Sequence, residues 1–296
     1  MKIIRKLVKT FPGVKDLLEY RTDWKPGHYY SPIPTKEAAL NKVERIYNKT
    51  TEIKAIDLRD EHQLALFEQL SKFMKESTFR NKEKASTHRF YNGNQHYGNS
   101  DALYLESMIR YLKPANIIEA GSGFTSALMM DVNEKYFDNK INLTFIEPYP
   151  DRLFSLMTGD DKNNTTVKAQ PLESVDINIF KQLASNDILF IDSSHVVKTG
   201  SDLHYLFFEI LPILNSGVYI HFHDVFNNFE YLPSHFVTTG FGWNEDYFLR
   251  AFLMYNSAFE VTIFSNYLDV KHADRLKNIM PDYPINTGAQ FWMRKV

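Results

Sequence analysis

Two short segments of the chain bring an acid and an imidazole close together. Asp192 and His195 lie in the segment IDSSH, and His223 and Asp224 end the segment HFHD. An imidazole has a pKa near ~6.5 and can take up a proton at neutral pH. Carboxylates that converge repel each other unless a proton or a cation separates them, and a hard divalent ion such as Mg²⁺ suits oxygen ligands. The residue types therefore indicate proton transfer, with a divalent ion as a candidate aid.

A glycine turn stands upstream of these segments. Residues 117–126 read IIEAGSGFTS, an apolar run followed by a turn and a predicted helix. Gly121 and Gly123 allow a sharp turn and a close approach to a ligand, and a helix start offers unpaired N–H groups. Ser126 departs from the glycine or alanine of the dinucleotide fingerprint, and Glu119 creates the pattern E-x-G-x-G. The turn predicts a nucleotide cradle, and a turn without a ligand is the alternative.

A carboxylate follows the glycine turn at the distance of one strand-helix-strand unit. The predicted strand 143–147 ends in Glu147, and the interval leaves room for one helix over about residues 124–136. A carboxylate at this place can accept hydrogen bonds from both hydroxyls of a ribose. We therefore predict that Glu147 binds a nucleoside, against the alternative of a surface carboxylate at a strand end.

The elements that must position these residues are strands that alternate with helices. Apolar runs predict seven strands, which begin near residues 117, 143, 166, 188, 218, 259 and 290. Helical patterns lie at 63–74, 102–112, 203–214 and 246–255, and the spacing of the last strands predicts an antiparallel edge. The fold class is α/β, a Rossmann-like, seven-stranded, mostly parallel sheet with helices on both faces. Residues 1–95 are predicted as an N-terminal helical cap, and residues 96–296 as the catalytic domain.

The pattern E-x-G-x-G, the segment IDSSH and the segment HFHD together resemble class I S-adenosylmethionine-dependent methyltransferases. Over residues 88–296 the chain is similar to the group that includes cephalosporin hydroxylase-like and macrolide-sugar O-methyltransferases. The resemblance implies methyl transfer from S-adenosylmethionine to a hydroxyl of a small polar, sugar-like or natural-product acceptor. The residues that it assigns to the cofactor are Glu119, Gly121, Ser122, Gly123, Glu147 and Asp192.

The same resemblance implies roles for the acid and imidazole segments. In metal-dependent members the matching positions make His195 the general base and Asp192 and Asp224 ligands of Mg²⁺. Those members carry an acidic pair where this chain has His223 beside Asp224. His223 is therefore a further candidate ligand, and an imidazole suits Mn²⁺, Fe²⁺ or Zn²⁺ better than Mg²⁺.

Composition narrows the choice of function. The chain has 296 residues, no cysteine and a formal net charge of -2. Thiolate chemistry and disulfides are therefore excluded, and the chain offers no basic field for nucleic acid. Residues 1–9 alternate basic and apolar groups, which is unlike a secretory signal, and no apolar run is long enough for a membrane span. We expect a cytoplasmic enzyme whose partner is a small molecule; a homo-oligomer is compatible with the sequence.

Several alternatives stay open at this point. An N-methyltransferase, a nicotinamide-dependent oxidoreductase and a non-catalytic cofactor-binding module could share this cradle. Asp192 could cap a turn, Asp224 could form one, and His195 could bond to backbone. His221 and His223 share one side of a strand, so either could be an ordinary buried histidine. The aromatic segment 226–243 is a candidate lid over the pocket.

Overall fold

The computed structural model describes residues 24–47, 52–83, 88–232, 234–235 and 240–296. The chain divides into two compact units. One unit includes residues 24–47 with the helix α1 (Lys36–Tyr47), together with 232–235 and 240–242. The other unit, from residue 52 to 231 and from 243 to 296, contains the whole sheet. The segment 1–9 and part of the predicted lid lie outside the described residues.

A single seven-stranded sheet organises the larger unit. The strands are β1 (Asn116–Ala120), β2 (Asn142–Ile146), β3 (Thr165–Lys168), β4 (Ile188–Ile191), β5 (Tyr219–Phe222), β6 (Phe259–Phe264) and β7 (Phe291–Lys295). Their order across the sheet is β3-β2-β1-β4-β5-β7-β6. The first five strands are parallel, and β7 is antiparallel to both β5 and β6. The predicted mostly parallel sheet with an antiparallel edge is confirmed.

Helices surround this sheet. They are α2 (Asp60–Glu76), α3 (Asn99–Leu112), α4 (Phe124–Phe137), α5 (Asp151–Leu156), α6 (Asp161–Asn164), α7 (residues 202–213), α8 (Glu245–Leu253), α9 (Ser265–Lys271) and α10 (Ala273–Ile279). The apolar periodicity predicted α2, α3, α7 and α8, each of which buries one face or more, and the interval between β1 and β2 predicted α4. A left-handed Lys113 before Pro114 ends α3 at Leu112, the end that the helical pattern 102–112 predicted. Helix α2 packs against α3 and β6, and the domain boundary near residue 95 stays a prediction.

The register of the parallel strands places their carboxyl ends in one row. Ala120 of β1 pairs with Ile146 of β2 and with Ile191 of β4, and Ile191 pairs with Phe222 of β5. The next residue of each strand therefore lies at the same edge of the sheet. Those four residues are Gly121, Glu147, Asp192 and His223, all of which the sequence had nominated for the site.

The structure differs from the prediction mainly at element ends. Strands β2 and β5 end one residue earlier than predicted, so Glu147 and His223 stand just beyond the sheet. Helix α3 begins at Asn99 rather than at Ala102, which places Asp101 inside its first turn. Helices α9 and α10, between β6 and β7, were not predicted because the short connection looked too small for a crossover.

Candidate functional site

The glycine turn after β1 passes very close to the end of β4. Gly121 has a φ of +85°, and a Cβ at this residue would lie 1.8 Å from the carbonyl oxygen of Asp192. Gly123 is extended, and a Cβ there would meet only the Cδ of Arg152 at 3.3 Å. Close packing on the end of β4 therefore requires glycine strictly at Gly121, and the packing at Gly123 requires it only mildly. The predicted close approach to a ligand stays a prediction.

Glu119 lies beneath the turn rather than on its surface. Its carboxylate is fully buried and accepts hydrogen bonds from the hydroxyls of Thr125 and Ser126. The Ser126 hydroxyl also accepts the backbone N–H of Gly123 at 3.0 Å. Burial raises the pKa of Glu119 to about 8, although the two hydroxyl groups oppose this shift. Glu119 and Ser126 together hold the shape of the turn, which gives a structural reason for serine at the third position.

Glu147 braces the turn from the neighbouring strand end. One oxygen accepts the N–H of Ser122 at 3.1 Å, and the other accepts the N–H of Tyr149 at 2.9 Å. A carboxylate has about four lone-pair sites, so both oxygens keep capacity for a further donor. The side chain is half-buried and lines two neighbouring cavities. These contacts are compatible with its predicted role at a ribose.

The predicted acid and imidazole side chains come together at the ends of β4 and β5. His195 Nε2 lies 3.5 Å from Asp192 Oδ1 and 3.8 Å from Asp224 Oδ2. His223 Nδ1 lies 3.6 Å from Asp192 Oδ1 and 3.6 Å from Asp224 Oδ1. His195 and Asp224 both adopt left-handed backbone conformations, with φ values of 56° and 57°. Each imidazole thus contacts both carboxylates.

A buried glutamate, which the sequence analysis did not identify, contacts the second ring nitrogen of His195. Glu245, in the first turn of α8, places Oε2 2.7 Å from Nδ1 of His195. Both side chains are buried, and the ring of Trp243 lies 4.4 Å from the His195 ring. Burial alone lowers the pKa of His195, but Asp192 and Glu245 outweigh it and hold this pKa well above its usual value.

Hydrogen bonds between the loop after β4 and the start of α8 keep His195 close to Glu245. The carbonyl oxygen of His195 accepts the N–H of Asn244 at 3.0 Å. The side chain of Asn244 accepts the N–H of Val197 and donates to the Val197 carbonyl. The loop after β4 is therefore fastened to the start of α8. The sequence signal for Glu245 was only an acid at a helix start, which the helix dipole explains without any site.

Asp101 occupies the matching place on the other side of His223. Its Oδ2 lies 3.4 Å from Nε2 of His223, and its Oδ1 accepts the N–H of Ala289 at 3.0 Å. Tyr97 lies beside the pair, with its hydroxyl bonded to the Asp101 carbonyl and to Gln290. Burial lowers the pKa of His223, but the charges of Asp192 and Asp224 outweigh it and raise the pKa well above its usual value. His223 is therefore a partnered histidine at the site.

Two neighbouring cavities lie along this edge of the sheet. The nucleoside-side cavity, of about 390 Å³, has a mixed lining, in which Ile146, Pro148 and Leu172 are apolar and Glu147 and Lys198 are charged. The acceptor-side cavity, of about 400 Å³, is lined by the acid and imidazole residues together with His96, Tyr97, Arg152 and Trp243. Both cavities share the glycine turn and Glu147. Their sizes are typical of small-molecule sites.

A well-bonded loop forms one wall of the acceptor-side cavity. The buried Asn94 donates to the carbonyls of Tyr91 and Tyr97 and accepts the N–H groups of His96 and Tyr97. Upstream, the guanidinium of Arg89 pairs with three acids, Asp131, Glu134 and Asp161. Since local bonds and a largely buried ion network hold this loop, the wall is built before any ligand binds.

The predicted metal ligands were tested against this geometry. Among the residues that the structure describes, no group of three or more histidine, aspartate or glutamate side chains is arranged to hold a metal ion. Instead, His195 and His223 stand between the carboxylates. In this arrangement the imidazole rings, and not a metal ion, separate the carboxylates. The assignment of Asp192, Asp224 and His223 as ligands stays a prediction.

The glycine turn, by contrast, fits a bound nucleoside cofactor. Gly121 and Glu147 both line an open cavity, and the absence of a side chain at Gly121 lets the turn pack directly on the Asp192 carbonyl at the edge of this cavity. Glu119, Gly121, Ser122, Gly123 and Glu147 form one continuous structure, with Asp192 at its edge. Their individual cofactor contacts stay predictions, since Glu119 lies below the surface and its carboxylate faces Thr125 and Ser126.

Comparison with known proteins places this site in a family. Residues 118–225 match the family described as a methyltransferase domain, and this range contains the glycine turn, Glu147, His195 and Asp224. An uncharacterized protein of Archaeoglobus fulgidus is 33% identical over 169 residues, which are 55% of this chain and 75% of that protein. This chain carries a methyltransferase domain.

Solved structures of methyltransferases are also similar to this methyltransferase. The methyltransferase PaMTH1 of Podospora anserina, bound to S-adenosylhomocysteine, has a TM-score of 0.44 and 14% identity; the match covers 90% of this chain and 99% of that one. The O-methyltransferase TomG of Streptomyces achromogenes, in complex with S-adenosylmethionine, has a TM-score of 0.44 and 12% identity over 79% and 89% of the two chains. In the described part of this methyltransferase, no helix is long and apolar enough to cross a membrane.

Proposed function

We propose that this methyltransferase transfers the methyl group to a hydroxyl oxygen of a small polar, sugar-like acceptor, with His195 as the general base. The observation that carries the proposal is the pairing of His195 with Glu245. Because Nδ1 faces Glu245 at 2.7 Å, Nε2 is the nitrogen directed toward Asp192 and Asp224 in the acceptor-side cavity. An imidazole held in this way presents one defined nitrogen to the acceptor.

Different residues of the chain bind the cofactor, bind the acceptor and accept the proton in this reaction. When bound, S-adenosylmethionine supplies an electrophilic methyl group on a positively charged sulfur. The glycine turn and Glu147 hold the nucleoside half, and the acceptor-side walls hold the hydroxyl close to Nε2 of His195. Nε2 takes the hydroxyl proton as the oxygen attacks, and Glu245 stabilises the resulting imidazolium. Positioning of the two reactants supplies much of the acceleration.

Polar and aromatic lining supports a polar acceptor. Asp192 and Asp224 can accept hydrogen bonds from acceptor hydroxyls, and Tyr97 and Trp243 offer ring faces for the apolar side of a sugar-like ring. The carboxylates of Asp192 and Glu245 also raise the pKa of His195 well above its usual value, so the charged form of the imidazole is favoured over the neutral form. A positive charge brought into the same cavity lowers this pKa and favours the neutral, proton-accepting form.

The test combines binding with turnover. Calorimetry with S-adenosylmethionine and S-adenosylhomocysteine should give micromolar binding that Glu147→Ala weakens. Methyl transfer to a panel of hydroxylated acceptors should fall by about 10²- to 10⁴-fold in His195→Ala. The matched control is His204→Ala, since His204 is exposed on α7 and lies outside both cavities. Its activity should match the wild type.

Other outcomes would decide between the alternatives. Transfer to amines but not to hydroxyls would identify an N-methyltransferase, and binding without any transfer would indicate a cofactor-binding module. Absence of binding with either nucleoside would refute the cofactor assignment. Assays of the metal-free protein with EDTA, Mg²⁺ and Mn²⁺ test the metal prediction, because rates that require an added ion would favour Asp192, Asp224 and His223 as ligands.

A further inference from the structure

Among the residues that the structure describes, Arg152 is the one arginine or lysine that lines the acceptor-side cavity. It lies in the short helix α5, directly after the β2 strand end, and its aliphatic stem runs beside Gly123. Apart from Tyr97, the other ionisable residues of the same lining are carboxylates and histidines, namely His96, Glu147, Asp192, His195, His223 and Asp224. A permanent positive charge therefore lies beside the glycine turn, in a cavity that is also lined by the acids Glu147, Asp192 and Asp224.

The guanidinium of Arg152 makes no hydrogen bond and no ion pair with the residues that the structure describes. This contrasts with Arg89, whose guanidinium pairs with three acids, and with Arg110, which pairs with Glu76 and Glu106. Arg89 and Arg110 are largely buried and paired, whereas Arg152 is exposed and its donors are open to the cavity and to solvent. A guanidinium presents five N–H donors in a planar fork that matches a carboxylate.

From this geometry we infer that Arg152 binds the amino-acid carboxylate of S-adenosylmethionine. The inference rests on the proposed use of this cofactor and assigns one more residue to it. The methionine end of the cofactor carries two positive groups, the sulfonium and the ammonium, and one negative group, the carboxylate. The carboxylates of Asp192 and Asp224 attract the two positive groups, and the guanidinium of Arg152 attracts the carboxylate of the cofactor. Arg152 is a binding residue, separate from the proton transfer at His195.

The test compares two probes that differ only in this carboxylate. S-Adenosylmethionine and decarboxylated S-adenosylmethionine share the nucleoside, the sulfonium and the ammonium. In calorimetry, Arg152→Gln should weaken binding of S-adenosylmethionine by about tenfold or more and should leave binding of the decarboxylated compound unchanged. Arg152→Lys keeps a point charge but loses the fork, so it should give an intermediate loss.

A matched control removes a positive charge nearby without touching the cavity. Lys162 is exposed on α6 and lines neither cavity, so Lys162→Gln should bind both probes as the wild type does. A further variant, Gly123→Ala, adds a methyl group 3.3 Å from the Arg152 stem. Gly123→Ala should weaken the binding of S-adenosylmethionine more than the binding of the decarboxylated probe.

The result that overturns the inference is equal behaviour of the two probes. If Arg152→Gln weakens both compounds alike, the residue acts on the fold of the turn, and if it weakens neither, Arg152 is a solvated surface residue. In both cases wild-type binding of S-adenosylmethionine still stands, so the proposed function survives. Failure of the wild type to bind either probe would instead remove the proposed function together with this inference.

Discussion

The two halves of the site are built in different ways. The nucleoside half consists of the glycine turn, Glu119 beneath it and Glu147 beside it, and these residues are joined by bonds within residues 119–149. The acceptor half joins Asp101, Asp192, His195, His223 and Glu245, which come from four separate parts of the chain. The first half depends on backbone shape, and the second depends on side-chain charges that balance one another.

This difference predicts different responses to substitution. The nucleoside half depends on backbone shape, so a substitution that blocks the glycine turn should abolish cofactor binding by the whole half. Small changes elsewhere in this half should have little effect. A half built from charged side chains should instead change its pH dependence and its rate while its shape persists. The following substitutions test that contrast.

The largest effect is expected for Gly121→Ala. A Cβ at Gly121 would overlap the Asp192 carbonyl at 1.8 Å, and the φ of +85° is itself unfavourable for alanine. We expect a loss of more than about 3 kcal/mol in the free energy of unfolding, together with loss of cofactor binding. Denaturant unfolding and calorimetry measure both. Gly123→Ala is the matched control and should cost less than about 1 kcal/mol in stability. Equal costs would contradict a turn fixed at Gly121.

An intermediate effect is expected for Glu245. Glu245→Ala should lower kcat by about 10²-fold or more, and Glu245→Gln by about tenfold, because the amide keeps a hydrogen-bond acceptor for Nδ1 but loses the charge. The acid limb of the kcat/KM profile should also move to lower pH in Glu245→Gln. The sign follows from the wild type, where Glu245 helps to raise the pKa of His195 and so delays its neutral form.

Asp246→Asn provides the control for Glu245. Asp246 is buried next to Glu245, and burial raises its pKa well above the usual value, so an amide there removes little charge from His195. The acid limb of the kcat/KM profile of Asp246→Asn should therefore stay at the wild-type pH, even if this variant is less stable. An unchanged acid limb in Glu245→Gln would show that the glutamate supports only the packing of α8.

The smallest effect is expected beneath the acceptor half, at His221. Its ring is fully buried against Phe190, and neither ring nitrogen has a hydrogen-bond partner among the described residues. Burial, with a smaller effect of His223, lowers the pKa of His221 well below its usual value. His221→Phe should raise the free energy of unfolding by about 1 kcal/mol at neutral pH, because it removes unpaired buried polar atoms.

The pH dependence of stability gives His221 a second readout. A histidine whose pKa is lowered by folding binds protons better in the unfolded state at acid pH. Its contribution to stability is therefore complete above about pH 6.5 and is lost as pH falls through the lower, folded pKa. The midpoint temperature of thermal unfolding should decrease less between pH 7 and pH 5 in His221→Phe than in the wild type. A parallel fall in both proteins would contradict this account, and His204→Phe controls for an exposed histidine.

Much of the site could be predicted because its signals are local. Glycine spacing, the acid at the end of β2 and the IDSSH and HFHD segments lie within short windows, and parallel strands bring their carboxyl ends to one edge. The sequence therefore gave the correct neighbourhood for Gly121, Glu147, Asp192, His195, His223 and Asp224. Their individual roles stay predictions that the experiments above examine.

The sequence by itself determined the alternation of strands and helices, the place of the glycine turn and the sheet edge at which the site lies, because hydrophobic period and glycine conformation are local properties. Only the tertiary structure decided that Glu119 faces Ser126, that Glu245 pairs with His195, and that Asp101 pairs with His223. Those pairs join residues up to 122 positions apart in the chain. Their energy depends on burial and distance, which no local pattern records.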